Sequence, residues 1–174
     1  MKNKHCLKVA VFLTAFMMAT SATATDSPIM PFSIKIDDPV VQFLGRQRIE
    51  VLFAADTVET YQIDWRKRSD LTAKHLHGYP VIAKGRDLEA LEVQIVRALA
   101  AQGASYDFLV SKRTRLRPTY VLRFIKNSAI VDIFLDLQSS QWGFFFKNTL
   151  VQEDITEKLA SPVLIMIFRA VFGN

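Results

Sequence analysis

Three apolar segments between residues 119 and 147 constrain the fold of this chain more than any other part of the sequence. Two short polar pairs, Asn127-Ser128 and Ser139-Ser140, separate the segments at the spacing of tight turns. We therefore expect an antiparallel meander of three strands. These strands are expected at residues 119–126, 129–138 and 141–147.

Two-residue turns also predict which side chains lie opposite each other, because side chains alternate between the faces of a strand. Phe124 is expected opposite Val131, and Leu135 is expected opposite both Tyr120 and Phe144. The face that carries these residues is apolar throughout. We expect it to form the core, since burial contributes roughly 25 cal/mol per Å² of apolar area.

The opposite face of the meander is less uniform. One predicted row is charged and is typical of a cross-strand ladder: Arg123, Asp132 and Lys147. The adjacent row consists of three large apolar side chains: Val121, Phe134 and Phe145. Such a row is not expected to face water on a stable monomer. We expect the C-terminal segment to cover it, with a partner protein as the alternative.

Periodicity elsewhere predicts further elements. Alternation of apolar and polar residues predicts a strand at 32–36 and a hairpin formed by 49–53 and 61–65, followed by a polar loop at 66–78. Apolar residues at three- and four-residue spacing predict an amphipathic helix over 87–102 that ends at Gly103: Leu88, Leu91, Ile95, Val96 and Leu99.

The C-terminal region is expected to be helical. Glu153-Asp154 is predicted to open a short helix that ends at Ala160, because acidic residues suit the first turn of a helix. Ser161-Pro162 is predicted to start a second helix with an apolar run at 163–168. Burial in the core is the first interpretation of this run, and a tail that binds a partner or a membrane is the second.

Together these elements predict an α+β domain over residues 25–174. We expect an antiparallel sheet of about five strands, one amphipathic helix packed on its apolar face, and a helical C-terminal segment. Half of the residues are hydrophobic and 22% are charged, which excludes a disordered chain.

Residues 1–24 have the pattern of a secretory signal peptide. Lys2, Lys4 and Lys8 form a positive segment before the apolar run at 9–19, and Ala22 and Ala24 form the small-residue cleavage signal. The alternative is an uncleaved anchor, although the run is about half of the ~20 residues that cross a bilayer. Cleavage after Ala24 would leave 19 basic and 17 acidic residues, a net charge of +2, and no cysteine. We expect a bacterial periplasmic or secreted protein.

Basic residues between Asp107 and Asp132 suggest a surface for an anionic partner. The candidate binding residues are Lys112, Arg113, Arg115 and Arg117, together with the adjacent row of Val121, Phe134 and Phe145. With residues 66–68, which read Arg-Lys-Arg, this stretch would attract phospholipid headgroups, lipopolysaccharide or an acidic envelope protein. The alternative is a solvated loop that protects the sheet edge. Export and the small net charge disfavour nucleic acid.

His75 and His77 are the candidate metal ligands. Side chains at i and i+2 of an extended segment point the same way, and Asp64 or Asp70 would have to supply the third ligand of a zinc site. The alternative is a pair of exposed loop histidines. The mature chain has no cysteine, and no serine stands in a G-x-S-x-G elbow, so we expect neither nucleophilic catalysis nor a cofactor.

The order of four features resembles that in a set of uncharacterised small bacterial proteins. These features are the segment 78–82 (GYPVI), the amphipathic helix, Pro118 and the segment 138–142 (QSSQW). The resemblance covers roughly residues 50–147. Those proteins carry one cysteine before the Pro-led strand and another near the end of the next strand, where this chain has 112–115 (KRTR) and 139–140 (SS). The resemblance implies a fold and no activity.

These observations predict an exported, non-enzymatic binding or accessory protein, such as an inhibitor or an immunity protein. Its working surface would be the basic loop with the adjacent apolar row. The alternative function is a metal-dependent envelope enzyme that uses His75 and His77. A purely structural domain is the third interpretation.

Overall fold

The computed structural model describes residues 34–67, 74–109 and 115–173. Its helices are α1 (Asp38–Leu44), α2 (Arg46–Ala54), α3 (Ala90–Ala101) and α4 (Ala160–Phe172), with a short 3₁₀ turn at Gly103–Ser105. Its strands are β1 (Thr57–Ile63), β2 (His75–Leu76), β3 (Tyr79–Lys84), β4 (Tyr120–Lys126), β5 (Ala129–Asp136), β6 (Gln141–Phe146) and β7 (Thr149–Asp154).

The described strands form one curled antiparallel sheet in the order β2-β3-β1-β4-β5-β6-β7. The predicted α+β class with an antiparallel sheet is therefore confirmed. The expected count of about five strands is wrong, because the described sheet has seven. Strand β2 lies in the segment expected to be a loop, and β7 ends in residues expected to start a helix. No element was predicted over residues 79–84, where β3 lies.

The meander at the centre of the sheet confirms the first predicted register. Phe124 lies opposite Val131, and Tyr120 lies opposite Leu135. In the second hairpin Leu135 pairs with Trp142 rather than with Phe144. The turn there has four residues, and the Asp136 carboxylate accepts the backbone N–H of Ser139 within it. An offset of two residues leaves every side chain on its predicted face.

The apolar face of the meander is the main core, as expected. Leu122, Ile133, Trp142 and Phe144 are at most 1% exposed. All four helices contribute side chains to the same cluster: Val40, Leu44, Val51, Leu52, Val96, Leu99, Leu164, Ile167 and Phe168. The C-terminal helix is therefore buried, which confirms the first interpretation of that apolar run.

Two strands predicted near the N-terminus are wrong. Residues 34–36 have no regular secondary structure, and α1 follows them with Pro39 in its first turn. Residues 46–54 form α2 instead of a hairpin strand. Adjacent Val51 and Leu52 are both buried, at 5% and 1% exposed. Neighbouring residues of a strand point to opposite faces, whereas a helix packed in a groove buries both.

Helix α3 confirms the predicted amphipathic helix with two differences. A capping box starts it, in which Glu89 and Glu92 each bind the backbone N–H of the other. The helix ends at Ala101, and Gly103 begins the 3₁₀ turn. Leu91, an expected core residue, is 71% exposed, whereas Leu99 is 7% exposed. The core side of α3 is centred on Val96 and Leu99.

The helix predicted to open at Glu153-Asp154 is wrong, because these residues end strand β7. Lys147 and Asn148 both adopt positive φ in the preceding turn, which lets β7 fold back on β6. Helix α4 then docks close to Gly85. A Cβ atom there would lie 2.5 Å from Val171 Cγ1 and 2.9 Å from Phe172 Cζ, so a larger residue has no room.

Candidate functional site

The outer face of the sheet is covered by the chain itself. Val121 is fully buried and Phe134 is 2% exposed. They pack with a second cluster that includes Leu76, Leu116 and the partly buried Tyr79. Intramolecular cover was expected, but the β2–β3 hairpin and Leu116 supply it, not the C-terminal segment. The curl of the sheet brings the hairpin over this face.

This burial corrects the candidate binding surface. Val121 and Phe134 are not accessible to a partner, and Phe145 is partly buried with its ring centroid 3.5 Å from that of His77. The predicted row is also offset, because Phe134 lies opposite Gly143 and Phe145 lies opposite Asp132. Strand β6 ends at Phe146, so Lys147 lies in a turn and not in the charged row.

Asp132 is the centre of a buried charge cluster. Its carboxylate accepts two hydrogen bonds from Arg123, at 2.8 Å from Nε and 2.9 Å from Nη2. His77 Nε2 lies 2.7 Å from Oδ2, the carboxylate oxygen that also accepts from Arg123 Nη2. The Asp132 side chain is 1% exposed. The hydrogen bond and the negative charge raise the pKa of Arg123 above its usual value.

A second ionic group lies in the same cross-strand row, on β1. Glu59 accepts hydrogen bonds from Lys84 Nζ at 2.8 Å and from the Tyr61 hydroxyl at 2.6 Å. The hydrogen bonds from Lys84 and then Tyr61 hold the pKa of Glu59 below its usual value. Burial raises the pKa of Tyr61. This row therefore stabilises the ionised carboxylate.

The geometry does not assemble the predicted metal ligands. His75 lies on β2 opposite Pro80, whereas His77 is in the following turn at φ 50. The i, i+2 alignment of a strand is thus lost between them. In the described ranges, no group of three histidine, cysteine or acidic side chains is arranged to hold a metal ion. Asp70 lies outside those ranges.

The two basic segments predicted from the sequence meet at a pocket of about 330 Å³. Its described lining consists of Trp65, Arg66, Tyr79, Arg115, Leu116 and Arg117. We call this the Trp65 pocket. Lys112 and Arg113, the other predicted basic residues of this surface, lie outside the described residues, as does Arg68.

Local packing positions the arginines of the Trp65 pocket. Leu116 is 5% exposed and packs in the outer cluster, while Arg115 and Arg117 on either side are exposed. The backbone N–H of Arg117 donates to the Asp136 carboxylate at 3.1 Å. A buried apolar anchor and one hydrogen bond therefore hold this segment at the pocket.

The indole of Trp65 supports two of the guanidinium groups. The Arg117 Cζ lies 5.0 Å from the ring centroid, and the Arg66 Cζ lies 5.3 Å from it. Both distances are within the range of a cation–π interaction. The structure describes no salt bridge from Arg66, Arg115 or Arg117 to any carboxylate in its ranges. Their positive charge is available to a ligand.

Sequence reasoning missed Trp65 and Tyr79 as pocket residues. Trp65 was expected on a strand face, but β1 ends at Ile63 and Trp65 lies in the turn beyond it. The adjacency of Trp65 and Arg66 in the sequence was the signal that could have identified the pocket. His77 as the partner of Asp132 was also missed, because 55 residues separate them.

Comparisons with known proteins do not place this chain in a family. No protein-family model, no curated protein and no solved structure matches it. In the described parts of the chain, every helix is too short or too polar to cross a membrane.

Proposed function

We propose that this protein is an exported, non-enzymatic binding module that takes an anionic ligand of the bacterial envelope into the Trp65 pocket. The observation that carries the proposal is the convergence of Arg66, Arg115 and Arg117 on one cavity. Guanidinium groups for which the described residues supply no carboxylate partner create a positive potential that favours anions. A pocket of about 330 Å³ is at the small end of ligand sites.

Export through the N-terminal signal peptide is part of the proposal. Its support is the basic segment, the short apolar run and the small residues that end at Ala24. Expression of the full chain in a bacterium, followed by mass measurement of the periplasmic protein, tests it. The expected mass corresponds to a chain that begins at Thr25. An unprocessed chain retained in the cytoplasm or the membrane would contradict export.

The metal-enzyme alternative at His75 and His77 has less support. His77 is engaged by the buried carboxylate of Asp132, and its ring lies against Phe145. Metal analysis of protein purified without a histidine tag separates the two functions. The binding proposal expects no stoichiometric ion, and an ion lost in His75→Ala and His77→Ala variants would contradict it.

Intrinsic fluorescence tests the binding proposal directly, because the chain has only two tryptophans. Trp142 is fully buried in the core, whereas Trp65 lines the pocket. A small anion that binds in the pocket should change the emission of Trp65, and a Trp65→Phe variant should lose the change. A panel of envelope-type anions (phosphate esters and uronic acids) that leaves the emission unaltered would refute the proposal.

A further inference from the structure

The cations among the described residues that line the Trp65 pocket are all arginines. Its described lining contains neither a lysine nor a carboxylate. Arginine presents a rigid, planar fork of donors, whereas lysine acts as a point charge. Fork-shaped donors match planar or tetrahedral oxyanions bidentately, and they do so for carboxylates and phosphates. The composition of the pocket therefore points to an oxyanion held by directed hydrogen bonds.

Three guanidinium groups suit a phosphate monoester better than a carboxylate. A monoester carries a charge of roughly −1.5 to −2 near neutral pH and presents three terminal oxygens. A carboxylate carries a single charge and two oxygens, and a phosphodiester likewise has two free oxygens. The three positive charges of Arg66, Arg115 and Arg117 exceed the charge of either of these by two, and they exceed that of a monoester by only about 1 to 1.5.

The Trp65 indole pre-organises the site. Arg66 and Arg117 lie over its ring, so their long side chains are restrained before a ligand arrives. Ordering a flexible side chain on binding costs roughly 0.5–1.5 kcal/mol. Restraint in the free protein reduces this cost. Trp65 is thus a positioning residue for two of the donors.

The volume and walls of the pocket indicate a ligand larger than the phosphate itself. Tyr79, Trp65 and Leu116 supply apolar lining beside the arginines. The cavity of about 330 Å³ has room for a short organic portion beyond the phosphate. An inorganic phosphate ion would leave this part unused.

We propose that the ligand of the Trp65 pocket is a phosphate monoester with a small polyol or lipid-headgroup substituent. The inference rests on the proposed function, since it specifies the chemistry of the anion that the same pocket binds. The shared chemistry, a terminal phosphate on a short organic group, is present in soluble glycerol phosphates and in phosphatidic acid headgroups.

Isothermal titration calorimetry on the purified protein tests the proposal with three small probes. These are glycerol 3-phosphate (a monoester), glycerophosphocholine (a diester) and glucuronate (a carboxylate). We expect the monoester to bind at least about tenfold more tightly than either other probe, because it completes more charge-assisted hydrogen bonds.

Variants identify the site. Arg115→Gln and Arg117→Gln should each weaken binding of glycerol 3-phosphate by about 10- to 100-fold, the usual effect of losing a hydrogen bond to a charged group. Arg46→Gln is the matched control, because Arg46 is also exposed and makes no described salt bridge. Thermal unfolding of each variant confirms that the fold is intact.

Trp65 requires a readout that a purely structural role would not change. A Trp65→Leu variant with a normal unfolding temperature should bind glycerol 3-phosphate more weakly, with a larger unfavourable binding entropy, because Arg66 and Arg117 are no longer restrained. A Trp65→Phe variant retains a ring and should recover most of the affinity. Equal affinity in all three proteins would overturn the pre-organisation step.

Vesicles distinguish the sources of the phosphate. Co-sedimentation of the protein with phosphatidic acid vesicles is compared with its co-sedimentation with phosphatidylglycerol vesicles. The comparison shows whether the protein binds the monoester when it is part of a lipid. Binding to phosphatidic acid alone supports a headgroup source, and binding only to glycerol 3-phosphate supports a soluble source. Equal binding to both vesicle types would overturn the preference for a monoester.

The remaining outcomes separate this inference from the proposed function. Glucuronate binding that matches or exceeds that of the monoester, and that is lost in Arg115→Gln, would refute the phosphate inference and leave the anion-binding module intact. Absence of binding by all small probes and vesicles would refute both. Monoester binding that survives loss of Arg115 and Arg117 would place the site elsewhere and refute the assignment.

Discussion

Replacement of Asp132 by alanine tests the role of the buried charge cluster. The Asp132 side chain is 1% exposed and receives two hydrogen bonds from Arg123 and one from His77. Asp132→Ala removes the carboxylate that is hydrogen-bonded to Arg123 and leaves the Arg123 guanidinium largely buried. A buried ion pair that loses one partner typically costs 3–5 kcal/mol of unfolding free energy.

The expected magnitude for Asp132→Ala is near the lower end of that range. The Arg123 side chain is 18% exposed and the His77 side chain 28%, so water reaches part of both groups once the carboxylate is gone. We therefore expect a loss of about 3 kcal/mol. His77→Ala, which keeps the Arg123–Asp132 pair, should cost about 1 kcal/mol.

Urea unfolding followed by circular dichroism measures these changes, since the midpoint and the slope together give the free energy of unfolding. The matched control is the double variant Arg123→Met with Asp132→Leu, which removes both charges and fills the space. It should be more stable than Asp132→Ala, because no unpaired charge remains. A loss below about 0.5 kcal/mol in Asp132→Ala, the level of an ordinary surface change, would refute the reasoning.

Three further predictions concern stability and are measured by the same urea titrations. Gly85→Ala should destabilise the protein by about 1–3 kcal/mol because α4 packs against that position; Gly103→Ala, where the nearest atom to a Cβ is 3.4 Å away, should cost less. Folding lowers the pKa of Glu59, so the folded state binds fewer protons than the unfolded state. The resulting contribution to stability is present above about pH 4.3 and is lost as the pH falls through the folded pKa. Glu59→Gln should therefore flatten the acid limb of a stability–pH curve, and an unchanged limb would contradict the assignment. Leu91→Lys should change stability by less than about 0.5 kcal/mol, whereas Leu99→Ala should cost about 2–5 kcal/mol, and the opposite order would contradict the placement of α3.

The parts of the fold that sequence reasoning predicts well are those that depend on neighbouring residues. The Asn127-Ser128 turn sets the register of β4 and β5 because two residues close the hairpin with Asn127 at φ 51. The second turn is two residues longer because the Asp136 carboxylate binds the backbone of Ser139. Side-chain periodicity does not report such a contact.

The errors arise where long-range packing decides the conformation. Residues 49–53 alternate as a strand would, and only the tertiary burial of Leu52 beside Val51 identifies a helix. Leu91 has the spacing of a core residue, but the orientation of α3 on the sheet exposes it. Strand β7 forms because it pairs with β6, and the sequence of residues 149–154 alone does not predict this pairing.

The charged residues of the candidate site could be predicted from the sequence, but the pocket that they line could not. Arg115 and Arg117 were predicted as partner-binding residues, and Arg66 was expected near them. Their convergence on Trp65 depends on the position of Leu116 over the outer sheet face, which follows from the curl of the sheet. Long-range topology of this kind is set by the whole chain.

Nuclear magnetic resonance of the arginine side chains tests the central claim most directly. A titration of the isotope-labelled protein with glycerol 3-phosphate should shift the Nε–Hε signals of Arg66, Arg115 and Arg117 together, along one saturable curve. The signals of Arg46 and Arg169, which are not among the described lining residues of the pocket, should not move. Uniform shifts of all exposed arginines, or saturable shifts confined to residues outside the Trp65 pocket, would contradict the account.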